Sequence, residues 1–164
     1  MVVILMGVSG AGKTFIGKRL AAELQWSFYE GDDYHPQSNV AKMSRGMALT
    51  DADRAPWIDA LHELIVELRA QDEAAILTCS ALKRAYRDRL VGGRNGVRIV
   101  YLCGSYELIQ QRLKDRRGHF MKVDLLASQF EVLEEPDASE DVLTVDISQK
   151  PKTIVETIKH ELVG

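Results

Sequence analysis

The sequence predicts an α/β chain built as a doubly wound, five-stranded parallel sheet with helices on both faces. Three observations carry that prediction. Short apolar runs alternate along the chain with longer amphipathic ones. Those runs are continuous rather than alternating in polarity, as strands covered on both faces are. A glycine-rich turn joins the first apolar run to the first helical pattern, the usual strand-to-helix step of a βαβ unit.

The strands come first. Val2-Val3-Ile4-Leu5-Met6, Ala75-Ile76-Leu77-Thr78 and residues 97–102 are the strongest candidates. Ser27-Phe28-Tyr29-Glu30 and Val142-Leu143-Thr144-Val145-Asp146 are weaker ones. Helical patterns lie between them. Ile16, Leu20 and Leu24 follow the glycine turn, and Trp57, Leu61, Leu64, Ile65 and Leu68 share one helix face. Ser105 is placed to cap a helix carrying Leu108, Ile109 and Leu113. Pro151 stands near the start of a stripe of Ile154, Ile158 and Leu162.

Composition bounds the rest. At 164 residues, 46% hydrophobic and 27% charged, the chain suits a single globular α/β domain with a real core. A net charge of −3 gives no basic excess for non-specific nucleic-acid binding. Cys79 and Cys103 form no CxxC pair and no metal-ligand cluster, so they are expected as buried, reduced thiols. The apolar start is too short for a signal peptide and no stretch is long enough to span a membrane, so a soluble cytoplasmic protein is expected.

Gly7-Val8-Ser9-Gly10-Ala11-Gly12-Lys13-Thr14 matches GxxxxGK[ST] in full, in the strand–turn–helix context that the motif requires. The glycines let successive N–H groups point at phosphate oxygens, and the next helix adds its free amides and positive end. Lys13 is placed to bridge the β- and γ-phosphates of a nucleoside triphosphate such as ATP, and the Thr14 hydroxyl to bind Mg²⁺.

The kind of phosphate-loop protein follows from what accompanies the loop. The run ending in Cys79-Ser80 lacks the strand-end carboxylate usual in hydrolases and motors, and no Asn-Lys-x-Asp guanine signature occurs. Residues 112–122 are basic and broken by Gly118, which suits either a solvated helix end or a lid that excludes water. Asp32 follows the second strand, on the sheet edge shared with the phosphate loop, where a carboxylate can take the proton of an acceptor hydroxyl. An Asp-rich turn without chemistry is the alternative for Asp32 alone. Together these features favour a small-molecule kinase.

A series of blocks carries a closer resemblance. It comprises the phosphate loop, Gly31-Asp32-Asp33-Tyr34-His35-Pro36, Leu49-Thr50-Asp51-Ala52-Asp53-Arg54-Ala55-Pro56-Trp57, Cys79-Ser80-Ala81-Leu82-Lys83, Arg117-Gly118-His119-Phe120-Met121, Ser128-Gln129-Phe130 and Leu133-Glu134-Glu135-Pro136. In this order, over about residues 1–147, it resembles gluconokinases of the small phosphate-loop type, with a fold like that of shikimate and nucleoside monophosphate kinases. The resemblance implies a P-loop kinase fold with a helical lid at about 112–135, and Mg²⁺-dependent transfer from ATP to the 6-hydroxyl of D-gluconate. It also implies a cytoplasmic homodimer. Ala48 and Lys122 depart from the family, which often has proline at both places; these bear on loop stiffness.

Roles follow from the resemblance and from substrate chemistry. Lys13, Asp32 and Arg116 are the expected catalytic residues, with Arg117 an alternative to Arg116. Arg112 is expected to stack on the base. Arg54 suits the gluconate carboxylate, unless it pairs with Asp51 or Asp53 at a helix start. Lys83 and Arg87, four apart, are expected on one helix face toward the substrate, or else as solvated cations. His35 either contacts the substrate or packs locally before Pro36. Another small acceptor, or a non-catalytic ATP sensor, remain the rival functions.

Overall fold

The computed structural model describes residues 1–115 and 123–164. Strands β1 (Val2–Met6), β2 (Ser27–Glu30), β3 (Ala75–Thr78), β4 (Val97–Cys103) and β5 (Val142–Asp146) form one parallel sheet in the order β2-β3-β1-β4-β5. Helices α1 (Lys13–Leu24), α2 (Gln37–Ser44), α3 (Asp51–Ala70), α4 (Arg84–Val91), α5 (Tyr106–Asp115), α6 (Val123–Val132) and α7 (Pro151–Val163) surround it, with a 3₁₀ turn at Gly31–Tyr34.

The sheet is doubly wound. The β1-to-β2 connection crosses in the opposite direction from those of β2 to β3 and β3 to β4. Right-handed crossovers therefore send α1 to one face and α3 and α4 to the other. The side-chain period of two divides β1 accordingly. Val3 and Leu5 pack with Ile16, Leu20, Ile154 and Ile158 from α1 and α7. Val2, Ile4 and Met6 pack with Trp57, Leu61, Ile65 and Leu90 from α3 and α4. Every β1 side chain is fully buried, which is why the sequence there is an unbroken apolar run.

Helix starts obey local chemistry. Thr50 and Asp53 form a capping box on α3: Thr50 Oγ1 accepts the Asp53 N–H at 3.1 Å, and Asp53 Oδ2 accepts the Thr50 N–H at 2.9 Å. Ser105 Oγ accepts the Leu108 N–H at 3.1 Å at the start of α5, and Pro151 opens α7. Cys79 is buried and Cys103 half-buried at the end of β4, one step less enclosed than expected; both thiols are free. Among the described residues no helix is long and apolar enough to cross a membrane.

The strand C-terminal ends bring distant loops to one edge. The phosphate loop leaves β1, the Gly31–Tyr34 turn leaves β2, and the Ser80-Ala81-Leu82 loop leaves β3. The Gly7 N–H donates to Ser80 O at 3.2 Å, tying the first loop to the third.

Candidate active site

The phosphate loop turns into α1 at Gly12, whose φ of +94° lies in the left-handed region that glycine adopts without strain. The first amides of α1 therefore open onto the cleft. Lys13 Nζ curls back and donates to Gly7 O at 2.9 Å and Val8 O at 3.0 Å. Burial pulls its pKa below the ordinary lysine value, while Asp32 opposes that shift.

Gly31 places the next group. A Cβ there would lie 1.9 Å from Thr78 O, so only glycine lets β2 end this close to β3. Its N–H donates to Thr78 Oγ1 at 3.1 Å, and Trp57 Nε1 donates to its carbonyl at 2.8 Å. The adjoining Asp32 side chain is 74% exposed and lies 3.9 Å from His35 Nε2. His35 stacks on Trp57 with ring centroids 4.1 Å apart, and its Nδ1 is 3.2 Å from Asn39 Nδ2. Burial is the main cause of its lowered pKa, which keeps the ring neutral at pH 7.

Two hollows meet at this edge. One is lined by Ser9, Gly10, Gly12, Lys13, Thr14, Glu30 and Asp32. The other takes Ser9, Lys13 and Asp32 and adds His35, Arg54, Trp57, Ser80, Ser128 and Gln129, with Met43 and Met47 from α2 and the turn after it. A further groove beside the loop is lined by Gly10, Gly12, Phe15, Arg112 and Asp115. Arg112 Nη2 donates to Ile147 O at 2.7 Å, which steadies the guanidinium at that groove.

Arg54 is buried on the second hollow, its guanidinium carbon 6.0 Å from the Tyr86 ring centroid. Neither aspartate flanking it is available as a partner. Asp51 is held by Lys83 and by the Tyr86 hydroxyl, and Asp53 by Lys42 at 2.6 Å together with the capping box. Those bonds hold the Asp53 carboxyl down at about 2. Arg54 thus presents a cation to the cleft with no carboxylate in ion-pair distance among the described residues.

Comparisons with known proteins agree with this layout. A family model described as an AAA domain matches residues 2–136. The thermosensitive gluconokinase of Escherichia coli (strain K12) is 45% identical over 162 residues, covering 98% of this chain and 87% of that protein. The chain belongs to the gluconokinase family. A gluconokinase from Sinorhizobium meliloti 1021 superposes with a TM-score of 0.85 at 41% identity, covering 94% of this chain and 87% of that one. A sugar kinase from Janibacter sp. HTCC2649 gives 0.91 at 41% identity, covering 97% and 92%. A shikimate kinase from Bacteroides thetaiotaomicron, at 18% identity and a TM-score of 0.70 over 99% and 98% of the two chains, shares the fold.

Within this gluconokinase-family chain, two expected substrate contacts lie elsewhere. Lys83 Nζ sits 2.9 Å from both carboxylate oxygens of Asp51. Arg87, 1% exposed, donates through Nε and Nη2 to Glu140 and through Nη1 to Ala81 O and Leu82 O, so four of its five N–H groups are engaged away from the second hollow, which it does not line. The spacing of four misleads because Lys83 is the extended residue before α4, and only Arg87 is helical. Arg116 and Arg117 lie outside the described residues.

Two residues to which the sequence assigned no role line the cleft. Glu30 Oε2 accepts from the Thr14 hydroxyl at 2.6 Å and Oε1 from the Thr78 hydroxyl at 2.5 Å. Its place as the last residue of β2, at the sheet edge that carries the phosphate loop, was the available signal. Thr14, Glu30 and Asp32 are hard oxygen donors around one hollow, the donor set that Mg²⁺ accepts alongside substrate phosphates. The second is Gln129, whose contacts with Ser9 join α6 to the phosphate loop.

Proposed function

We propose that the chain transfers the terminal phosphoryl group of ATP to the 6-hydroxyl of D-gluconate, giving 6-phosphogluconate and ADP. The observation that carries this reading is that Ser9, Lys13 and Asp32 line both the phosphate-loop hollow and the one that holds His35 and Arg54. Phosphoryl transfer depends on bringing two substrates together in this way and on stabilising the charge that passes between them.

Roles follow from chemistry. The loop amides and Lys13 bind the phosphates. Arg112, beside Phe15, takes the base. Arg54 pairs with the gluconate carboxylate, and neutral His35 hydrogen-bonds a substrate hydroxyl. Asp32 orients the 6-hydroxyl and accepts its proton as the oxygen bonds to the γ-phosphorus and the bond to the bridging oxygen breaks. Thr14, with Glu30 behind it, would hold Mg²⁺, which neutralises phosphate charge when bound. Arg116 is assigned to the transferring phosphate by family resemblance, as is the lid at about 112–135. A single catalytic domain, a homodimer and a cytoplasmic location belong to the same reading.

The test is ADP release with Mg-ATP and D-gluconate, set against shikimate, other sugar acids and nucleoside monophosphates. Gluconate-dependent release with 6-phosphogluconate as product is expected. Activity confined to another acceptor would replace the substrate, and ATP binding without any acceptor-dependent release would mark a sensor.

A further inference from the structure

Gln129 and Ser9 stand 120 residues apart in sequence and meet on the wall of the hollow that holds His35 and Arg54. Gln129 Oε1 accepts the Ser9 N–H at 2.7 Å. Only the carbonyl end of a carboxamide can accept from a backbone N–H, so this bond fixes which end is which. Nε2 is then the atom 3.3 Å from Ser9 Oγ, and it donates there. With a lone pair of the serine oxygen engaged, the hydroxyl proton is left to point away. The Ser9 hydroxyl donates to no acceptor among the described residues. Nε2 also keeps a second proton.

We infer that Gln129 sets Ser9 as a donor, and that the pair reads one oxygen of the acceptor substrate, making them specificity-determining residues. This rests on the reading of the hollow that holds His35 and Arg54 as the gluconate site. The pair offers two donors, the Ser9 O–H and the second Nε2 proton, beside one remaining lone pair on Ser9 Oγ, so it suits a substrate oxygen that accepts, and an analogue lacking that oxygen leaves those donors unpaired. A site built to bond a substrate hydroxyl rejects the deoxy analogue because its own polar groups lose their partner. Glutamate here would fit the same volume yet do the opposite. Its carboxylate would accept both the Ser9 N–H and the Ser9 O–H, turning the hydroxyl inward and leaving only acceptors toward the substrate.

The experiment compares wild type, Gln129→Glu and Ser9→Ala on gluconate and on a set of monodeoxy gluconates, with KM and kcat for each and a melting temperature for each protein. In wild type, one analogue is expected to lose about tenfold in kcat/KM relative to gluconate, the scale of one lost neutral hydrogen bond. In both variants that loss should shrink to within about twofold, through the gluconate KM, with the ATP KM changed far less. The pattern across analogues separates recognition from general loosening, which would scale every substrate alike. Wild-type turnover of gluconate with the same losses in the variants overturns the assignment alone. So does an ATP KM that moves as much as the gluconate KM. Wild-type silence toward gluconate overturns the functional reading and the assignment with it.

Discussion

Arg87 and Glu140 form an ion pair withdrawn from solvent: Nε and Nη2 meet the two carboxylate oxygens at 2.7 and 3.0 Å, with side-chain exposures of 2% and 6%. The remaining guanidinium nitrogen bonds the carbonyls of Ala81 and Leu82. Ala81 has a φ of +46°, a conformation that a residue with a Cβ adopts only when its surroundings impose it. The pair is therefore the clamp on the loop that carries Ser80 into the cleft and holds Gly7 by its amide.

Removing one partner should be costly. Glu140→Ala leaves a buried guanidinium uncompensated, and a loss of about 3–5 kcal/mol is expected. Urea denaturation measures it. Arg87→Met with Glu140→Leu should recover part of that loss, because no lone charge remains, while the Ala81 and Leu82 carbonyls still lack their donor.

The same pair sets an acid limit. The Arg87 guanidinium holds the Glu140 carboxyl below its ordinary value of 4.5. Above that value both folded and unfolded chains carry the charge, and the full contribution is present. As pH falls below it the unfolded chain takes up a proton first, so stability is lost until the folded carboxyl titrates as well. Stability measured from pH 6 down to pH 3 should fall, and Glu140→Gln should fall less steeply over the same window.

Asp32→Asn keeps the shape of the turn and removes the proton acceptor. A drop in kcat of about 10²-fold or more is expected, with the gluconate KM changed far less. Steady-state kinetics check it; a change confined to KM would make Asp32 a binder.

Arg54→Ala should act in the other sense. Loss of the cation is expected to raise the gluconate KM by about tenfold or more, through a charge-assisted bond worth about 1.5–3 kcal/mol, with the ATP KM nearly unchanged. An effect on ATP alone would move Arg54 to the nucleotide side.

The sheet was legible because its signals are local. β1, β2, β3 and β5 fall on the expected residues, and β4 runs one residue further, to Cys103. The phosphate loop was legible for the same reason, since its function lies in consecutive backbone amides. What escaped depends on tertiary pairing. The stack of His35 on Trp57, and the meeting of Arg87 with Glu140 across 53 residues of sequence, have no periodic trace. Lys83 and Arg87 show the converse error, a helical spacing applied across a helix boundary. Asp51 and Asp53 are both engaged by lysines, so the choice between a paired and a cleft-facing Arg54 needed coordinates.

Ser9, Lys13 and Asp32 line both hollows, which gives the proposed reaction a stereochemical consequence. With ATP proposed in one hollow and the acceptor in the one adjoining it, the phosphoryl group is expected to pass in a single in-line displacement, with no phosphorylated side chain between. One such step turns the phosphorus inside out, so ATP made chiral with oxygen isotopes at its terminal phosphorus should yield a sugar-acid phosphate of inverted configuration.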